Sequence, residues 1–161
     1  MIGGAHRDKV EVYGYGMMLR PENINSLISR FKEESAEIKA MGFKALKMKV
    51  GVGPKDDIKL IEAVRGGIGD NFRFMVDANH GYTTHDALYV GRAMEEFSPY
   101  WFEEPVAPED LDGYRELRAF LKVNISGGEA EFNRWGWRKL LESRGLDIAQ
   151  PEVCALGGIS E

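Results

Sequence analysis

Residues 72–104 read FRFMVDANHGYTTHDALYVGRAMEEFSPYWFEE, and the architecture turns on this stretch. Phe72 to Ala78 is a short apolar run that favours a strand, and Tyr100 to Glu103 is a second. Between them Leu88, Gly91, Met94 and Phe97 recur at helical spacing, and Thr84 is placed to cap the helix start. A strand, a helix and a strand joined by short connections make a βαβ unit, whose crossover is right-handed and whose strands run parallel.

The alternation continues outward in both directions. Lys44 to Val50, Asn124 to Gly128 and Asp147 to Glu152 are further strand-like runs, and Val10 to Tyr15 is a weaker one. Helical spacing links Leu27, Ile28, Phe31, Ile38 and Met41, then Ile58, Ile61, Val64 and Ile68, then Leu111, Tyr114, Leu117 and Leu121. Gly42 falls where a helix should stop, Asn133 where one should start, and Pro108-Glu-Asp opens another with acid near its positive end. Gly66-Gly67 conflicts with its helix, since each interior glycine costs about 1 kcal/mol relative to alanine, so that helix is expected to end early.

Six strands and five helices give an α/β chain that is either a whole doubly wound sheet or most of a (β/α)₈ barrel, which needs about 250 residues. The last residues, Leu-Gly-Gly-Ile-Ser-Glu, read as the turn after a strand and the start of another helix. The expectation is therefore an incomplete TIM-type (β/α) barrel over residues 1–161, without the last barrel units.

Composition removes several function classes. Of 161 residues 43% are hydrophobic, enough for one core, and 21 Lys+Arg against 26 Asp+Glu leave a charge of −5. No basic field exists to hold nucleic acid or an anionic membrane. One cysteine, Cys154, excludes a disulfide framework, and no apolar run reaches the length of a membrane span. A cytoplasmic protein without a leader is expected.

Ionisable residues recur at the strand ends: Lys49, Asp77, Glu103, Glu129 and Glu152, spaced 28, 26, 26 and 23 residues apart. Each interval is one βα unit, so all five fall at the carboxyl end of the sheet, where parallel α/β folds bind ligands. In a flat sheet Asp77 and Glu129 would lie about 10 Å apart, too far to share an ion, whereas barrel closure brings them inward. Three carboxylates aimed at one centre repel each other unless a divalent cation sits among them, and an all-oxygen set suits Mg²⁺. Lys47 and Lys49 alternate and so share a face, where each should lower the other's pKa and leave one amine available as a base. A carbon acid α to a carboxylate needs such a base together with a metal on its oxygens.

In order and spacing, Lys-Met-Lys49, Val-Asp77-Ala-Asn79, Trp-Phe-Glu103-Glu-Pro, Gly-Gly-Glu129 and Gln-Pro-Glu152 resemble the mandelate racemase/muconate lactonizing family of the enolase superfamily. The resemblance covers nearly the whole chain. It implies Mg²⁺ held by Asp77, Glu103 and Glu129, Lys49 as the base, Lys47 as its electrostatic partner, and Asn79 near the substrate. His80, beside the mouth, is a substrate contact or a satisfied loop histidine. The strand-six end has no lysine of the muconate-lactonizing type; it carries Glu152 where mandelate racemase types carry an aspartate that orients a strand-seven histidine. That places the chain on the racemase and sugar-acid dehydratase side. Ala-Asn-His80-Gly-Tyr82 is similar to enzymes of aldaric and anhydro-sugar acids, including cycloisomerases of galactarolactone and anhydrogalactonate. A family N-terminal capping domain and the last barrel units are expected to be absent, leaving these 161 residues inactive alone. The full-length form is expected to be a homo-oligomer acting on a small sugar-acid carboxylate.

A rival reading is a non-catalytic domain that keeps the acids only to bind a cation or a sugar acid. Glu104 and Glu131 alternate away from their neighbours and read as salt-bridge or capping residues. His6 and His85 read as surface residues, Cys154 as a buried small residue, and Trp101, Trp135 and Trp137 as packing between helices and barrel.

Overall fold

A computed structural model describes residues 4–158. The elements alternate without exception: β1 Gly14–Tyr15, α1 Ile24–Ala40, β2 Ala45–Lys49, α2 Pro54–Ile68, β3 Arg73–Asp77, α3 Thr84–Met94, a 3₁₀ turn Glu95–Phe97, β4 Trp101–Glu103, α4 Leu111–Phe120, β5 Asn124–Gly127, α5 Arg134–Ser143 and β6 Ile148–Ala149. All pairings are parallel, and the strand order is β1-β2-β3-β4-β5-β6. A doubly wound sheet reverses its order at a switch point, and this one never does. It is the open arc of a TIM-type barrel, with successive helices packed on one another outside it.

Period-two alternation sorts each strand into two faces. Leu46, Met48, Phe74, Val76, Phe102 and Ile125 are fully or almost fully buried and join helix residues such as Phe31, Leu60, Val64, Val90 and Leu117 in the apolar core. The opposite face carries Lys47, Lys49, Asp77 and Glu103. In register, Lys49 stands beside Asp77, Asp77 beside Glu103, and Glu103 beside Ser126. Below this row the concave side encloses about 810 Å³ lined by Tyr13, Ala45, Met75 and Trp101 among others.

Several boundaries differ from expectation, each for a local reason. Helix α2 does not end early; it runs through Gly66-Gly67 to Ile68. Arg65, 7% exposed, anchors its end by donating to the carbonyls of Gly69, Phe72 and Phe97 at 2.7–2.8 Å. Thr83, not Thr84, caps α3, accepting from the Asp86 amide, while the Thr84 hydroxyl bonds Asp110 at 2.9 Å. Pro108 lies in a turn ahead of α4, whose cap is Asp110, accepting from the Gly113 amide. The first and last runs shorten to two paired residues each. Cys154 is exposed rather than buried. Trp135 is largely exposed, so it does not pack the helix layer, whereas the Trp137 ring lies against Gly128. The helix start expected beyond Gly158 falls outside the described residues.

Candidate active site at the strand ends

The row of strand ends is an interleaved charge network. Lys47 Nζ stands 2.5 Å from Glu103 Oε1 and 3.0 Å from Asp77 Oδ2, and Lys49 Nζ stands 2.6 Å from the same Asp77 oxygen. Lys49 also donates to Asn79 Oδ1, and the Asn79 amide nitrogen is 3.5 Å from Glu129 Oε1. The free side of Glu103 accepts from Trp101 Nε1 at 2.8 Å and from Gln150 Nε2 at 2.9 Å. Tyr15 places its ring 5.5 Å from Lys47 Nζ and 5.6 Å from Lys49 Nζ, which favours cationic amines there.

Burial decides how these groups titrate. Asp77 is completely buried and Glu103 nearly so. At Asp77 burial acts to raise the pKa, but the ammoniums of Lys49 and Lys47 outweigh it and hold the carboxyl below its usual range. At Glu103 burial and the Asp77 charge win over the hydrogen bonds from Lys47 and Gln150, and its pKa stands above the usual range. Burial acts to lower both lysines, yet Glu103 and Asp77 lift Lys47 above the ordinary lysine value and Asp77 lifts Lys49. The net shift of both amines is thus opposite to the one expected. The effect of Lys47 on Lys49 has the expected sign but ranks below that of Asp77, a neighbour the sequence argument left out.

Glu104 corrects another expectation. A φ of 42° turns it from the outer face into the acid cluster, where it is 1% exposed. Burial first, then the charges of Glu129, Asp77 and Glu103, push its pKa up to about 8. Its Oε2 is 3.1 Å from His80 Nε2 without forming a proper hydrogen bond, while the His80 amide donates to the Glu104 carbonyl at 2.7 Å. Asn79 and His80 are also left-handed, with φ 41° and 64°, so three strained residues meet at two adjoining strand ends.

The predicted residues are therefore gathered unequally. Lys47, Lys49, Asp77, Glu103 and Asn79 share one bonded network, Glu129 touches it through Asn79, and His80 lies against Glu104 at its border. Glu152 stands apart, exposed, accepting from the Cys154 amide at 2.8 Å to close its own turn. Trp101, Gln150 and Glu104 were missed. Trp101 precedes Glu103 by two, so the alternation that paired Lys47 with Lys49 was the signal for it.

Among the described residues no three acidic, His or Cys side chains stand ready-made as a metal cage. The ammonium groups occupy the oxygens that would face an ion. The donor set nonetheless fits a hard divalent cation: it is all oxygen, and four carboxylates crowd one another strongly enough to lift Glu104. Asp77, Glu103 and Glu129 are residues that could hold it.

Comparison with known proteins agrees with the fold. The family model for enolase C-terminal domain-like proteins matches residues 30–161. The D-galactarolactone cycloisomerase of Agrobacterium fabrum is 42% identical over the whole chain, which spans 42% of that protein. The crystal structure of the 3,6-anhydro-D-galactonate cycloisomerase from Zobellia galactanivorans superposes with a TM-score of 0.89 at 43% identity, covering 99% of this chain and 43% of that one. A mutant L-talarate/galactarate dehydratase liganded with Mg and L-glucarate gives 0.85 at 32% identity, covering 98% of this chain and 39% of that one. The chain spans about two-fifths of the length of these relatives.

Proposed function

The chain belongs to the enolase C-terminal domain-like family, and from that premise we propose that its strand ends remove the proton α to the carboxylate of a sugar acid, with Mg²⁺ as cofactor. One observation carries the reading: two lysines on one strand face interdigitate with buried carboxylates contributed one per βα unit. A binding domain needs the acids, but gains nothing from an amine on either side of Asp77.

Asp77, Glu103 and Glu129 would hold the cation, which when bound would supply positive charge to stabilise a substrate carboxylate. Lys49 takes the α-proton onto Nζ. Its ammonium is maintained mainly by Asp77, while burial and the Lys47 charge both act to free the amine. Lys47 stays cationic beside Glu103 and faces the substrate carboxylate. Asn79 orients Lys49, and His80 contacts a substrate hydroxyl. The product follows from the side chain that returns a proton: to the α-carbon for racemisation, or to the oxygen leaving the β-carbon for dehydration or ring opening. The cycloisomerase and dehydratase relatives support a sugar acid as substrate of a mandelate-racemase-like enzyme, and the full-length form is proposed as a cytoplasmic homo-oligomer.

The test is deuterium incorporation at the α-carbon of aldonic and aldaric acids in D₂O with Mg²⁺, using the full-length protein. Lys49→Ala should abolish exchange on its face while calorimetric Mg²⁺ affinity persists. Asp77→Asn and Glu129→Gln should each lose most of that affinity, about 10-fold or more. Undiminished exchange in Lys49→Ala would place the base elsewhere.

A further inference from the structure

We infer that Asp57 and Tyr82 form a clasp that positions Lys49, an inference that rests on the proton-abstraction reading above. Asp57 lies in the first turn of α2 and is 0% exposed. Its Oδ1 accepts from the amides of Gly51 at 2.9 Å and Val52 at 3.1 Å; its Oδ2 accepts from the Gly53 amide at 3.0 Å and the Tyr82 hydroxyl at 2.7 Å. Three consecutive amides and one phenol thus satisfy a buried carboxylate that also sits at the favourable end of its helix. The loop it grips runs through Gly51 and Gly53 at φ 127° and 146°, a conformation that side-chain-bearing residues rarely adopt.

Tyr82 comes from the next βα connection, and its amide donates to the Pro105 carbonyl in the one after that, at 3.2 Å. Its ring rests 6.1 Å from that of Phe102, centroid to centroid. A Cβ on Gly81 would lie 3.5 Å from Gly51 Cα and 2.9 Å from the Ala78 carbonyl oxygen, so the first two loops run close together with no room for a larger residue there. The carboxylate therefore ties two successive connections together, and the Tyr82 backbone links them to a third, at the end of the sheet where the chemistry is placed.

The functional consequence follows from what flanks the clasp. Lys49 precedes Gly51 by two residues, Asn79 precedes Tyr82 by three, and the Lys49 amine donates to the Asn79 side chain. Both partners of that bond hang from loops fixed by Asp57. A base displaced by about 1 Å can lose on the order of 100-fold in rate. Asp57 and Tyr82 are thus positioning residues, acting through Lys49 without touching substrate.

The decisive variant is Tyr82→Phe, which keeps the ring packing and removes one donor. In the full-length protein we expect kcat for α-proton exchange to fall about 10-fold with KM changed less than about twofold, and the primary isotope effect at the α-carbon to rise. Without substrate, backbone amides of 51–53 and 79–82 should exchange hydrogen faster together. Asp57→Asn should reproduce both effects; should it not fold, Tyr82→Phe carries the test alone. Wild-type exchange kinetics in Tyr82→Phe, a rate loss that disappears when scaled to folded protein, or unchanged amide protection would overturn the clasp. A wild-type protein that exchanges no α-proton would instead overturn the proton-abstraction reading, and amide protection would still judge whether the loops are tied.

Discussion

Glu104 follows a metal-ligand candidate directly, and as the fourth acid of the cluster it makes stability depend on pH in an unusual sense. Its pKa is raised from an ordinary 4.5 to about 8 by burial and by Glu129, Asp77 and Glu103. The folded chain thus holds a proton that the unfolded chain releases near 4.5, so the stability from this group is complete below that value and drains away as pH rises to about 8. With divalent cations chelated, Glu104→Gln should gain thermal stability relative to the parent progressively from pH 5 to 8 and stay level beyond; a constant difference across that range would contradict the assignment. Residues whose placement depends only on alternation and unit length, such as Lys47, Lys49, Asp77 and Glu103, were legible in the sequence. Glu104 was not, because a left-handed φ reverses its face, and Gln150 and Asp57 were not, because loop conformation brings them to their partners.

Helix α2 shows the same division among elements. Its apolar spacing announced it, but the diglycine pointed to an early end, and the structure carries the helix past it because Arg65 ties its terminus to the carbonyls beyond. Arg65→Met should destabilise the fold by about 2 kcal/mol, since several part-buried carbonyls lose their donor at once. Gly66 has the opposite expectation. It is exposed, helical and has nothing within 4 Å of an added Cβ, so Gly66→Ala should stabilise by about 1 kcal/mol in urea or thermal unfolding. A destabilised Gly66→Ala would mean the glycine serves some contact other than helix continuity. Helix existence was thus readable from periodicity, while termini depended on tertiary hydrogen bonds that no window of sequence contains.

For the molecule as a whole, the sheet is an arc whose outer strands, β1 and β6, each pair on one side only among the described residues. Val10, Val12, Tyr13 and Tyr15 lie exposed along its first edge, beside the hollow of about 810 Å³. A polypeptide of these 161 residues should accordingly associate through that edge, eluting above monomer size with a concentration-dependent melting temperature; a monodisperse, concentration-independent monomer would argue against it. The sequential strand order also sets a timetable. As the chain leaves the ribosome, the lysines of β2 emerge first, and Asp77, Glu103 and Glu129 follow one unit at a time. Each new carboxylate thereby docks beside positive charge already in place, and repulsion among the acids accumulates only after the amines that hold it in check. Run in the opposite direction, the same arc would gather its negative charges before any counterweight, so the vectorial order of synthesis itself eases the assembly of a site whose charges oppose one another.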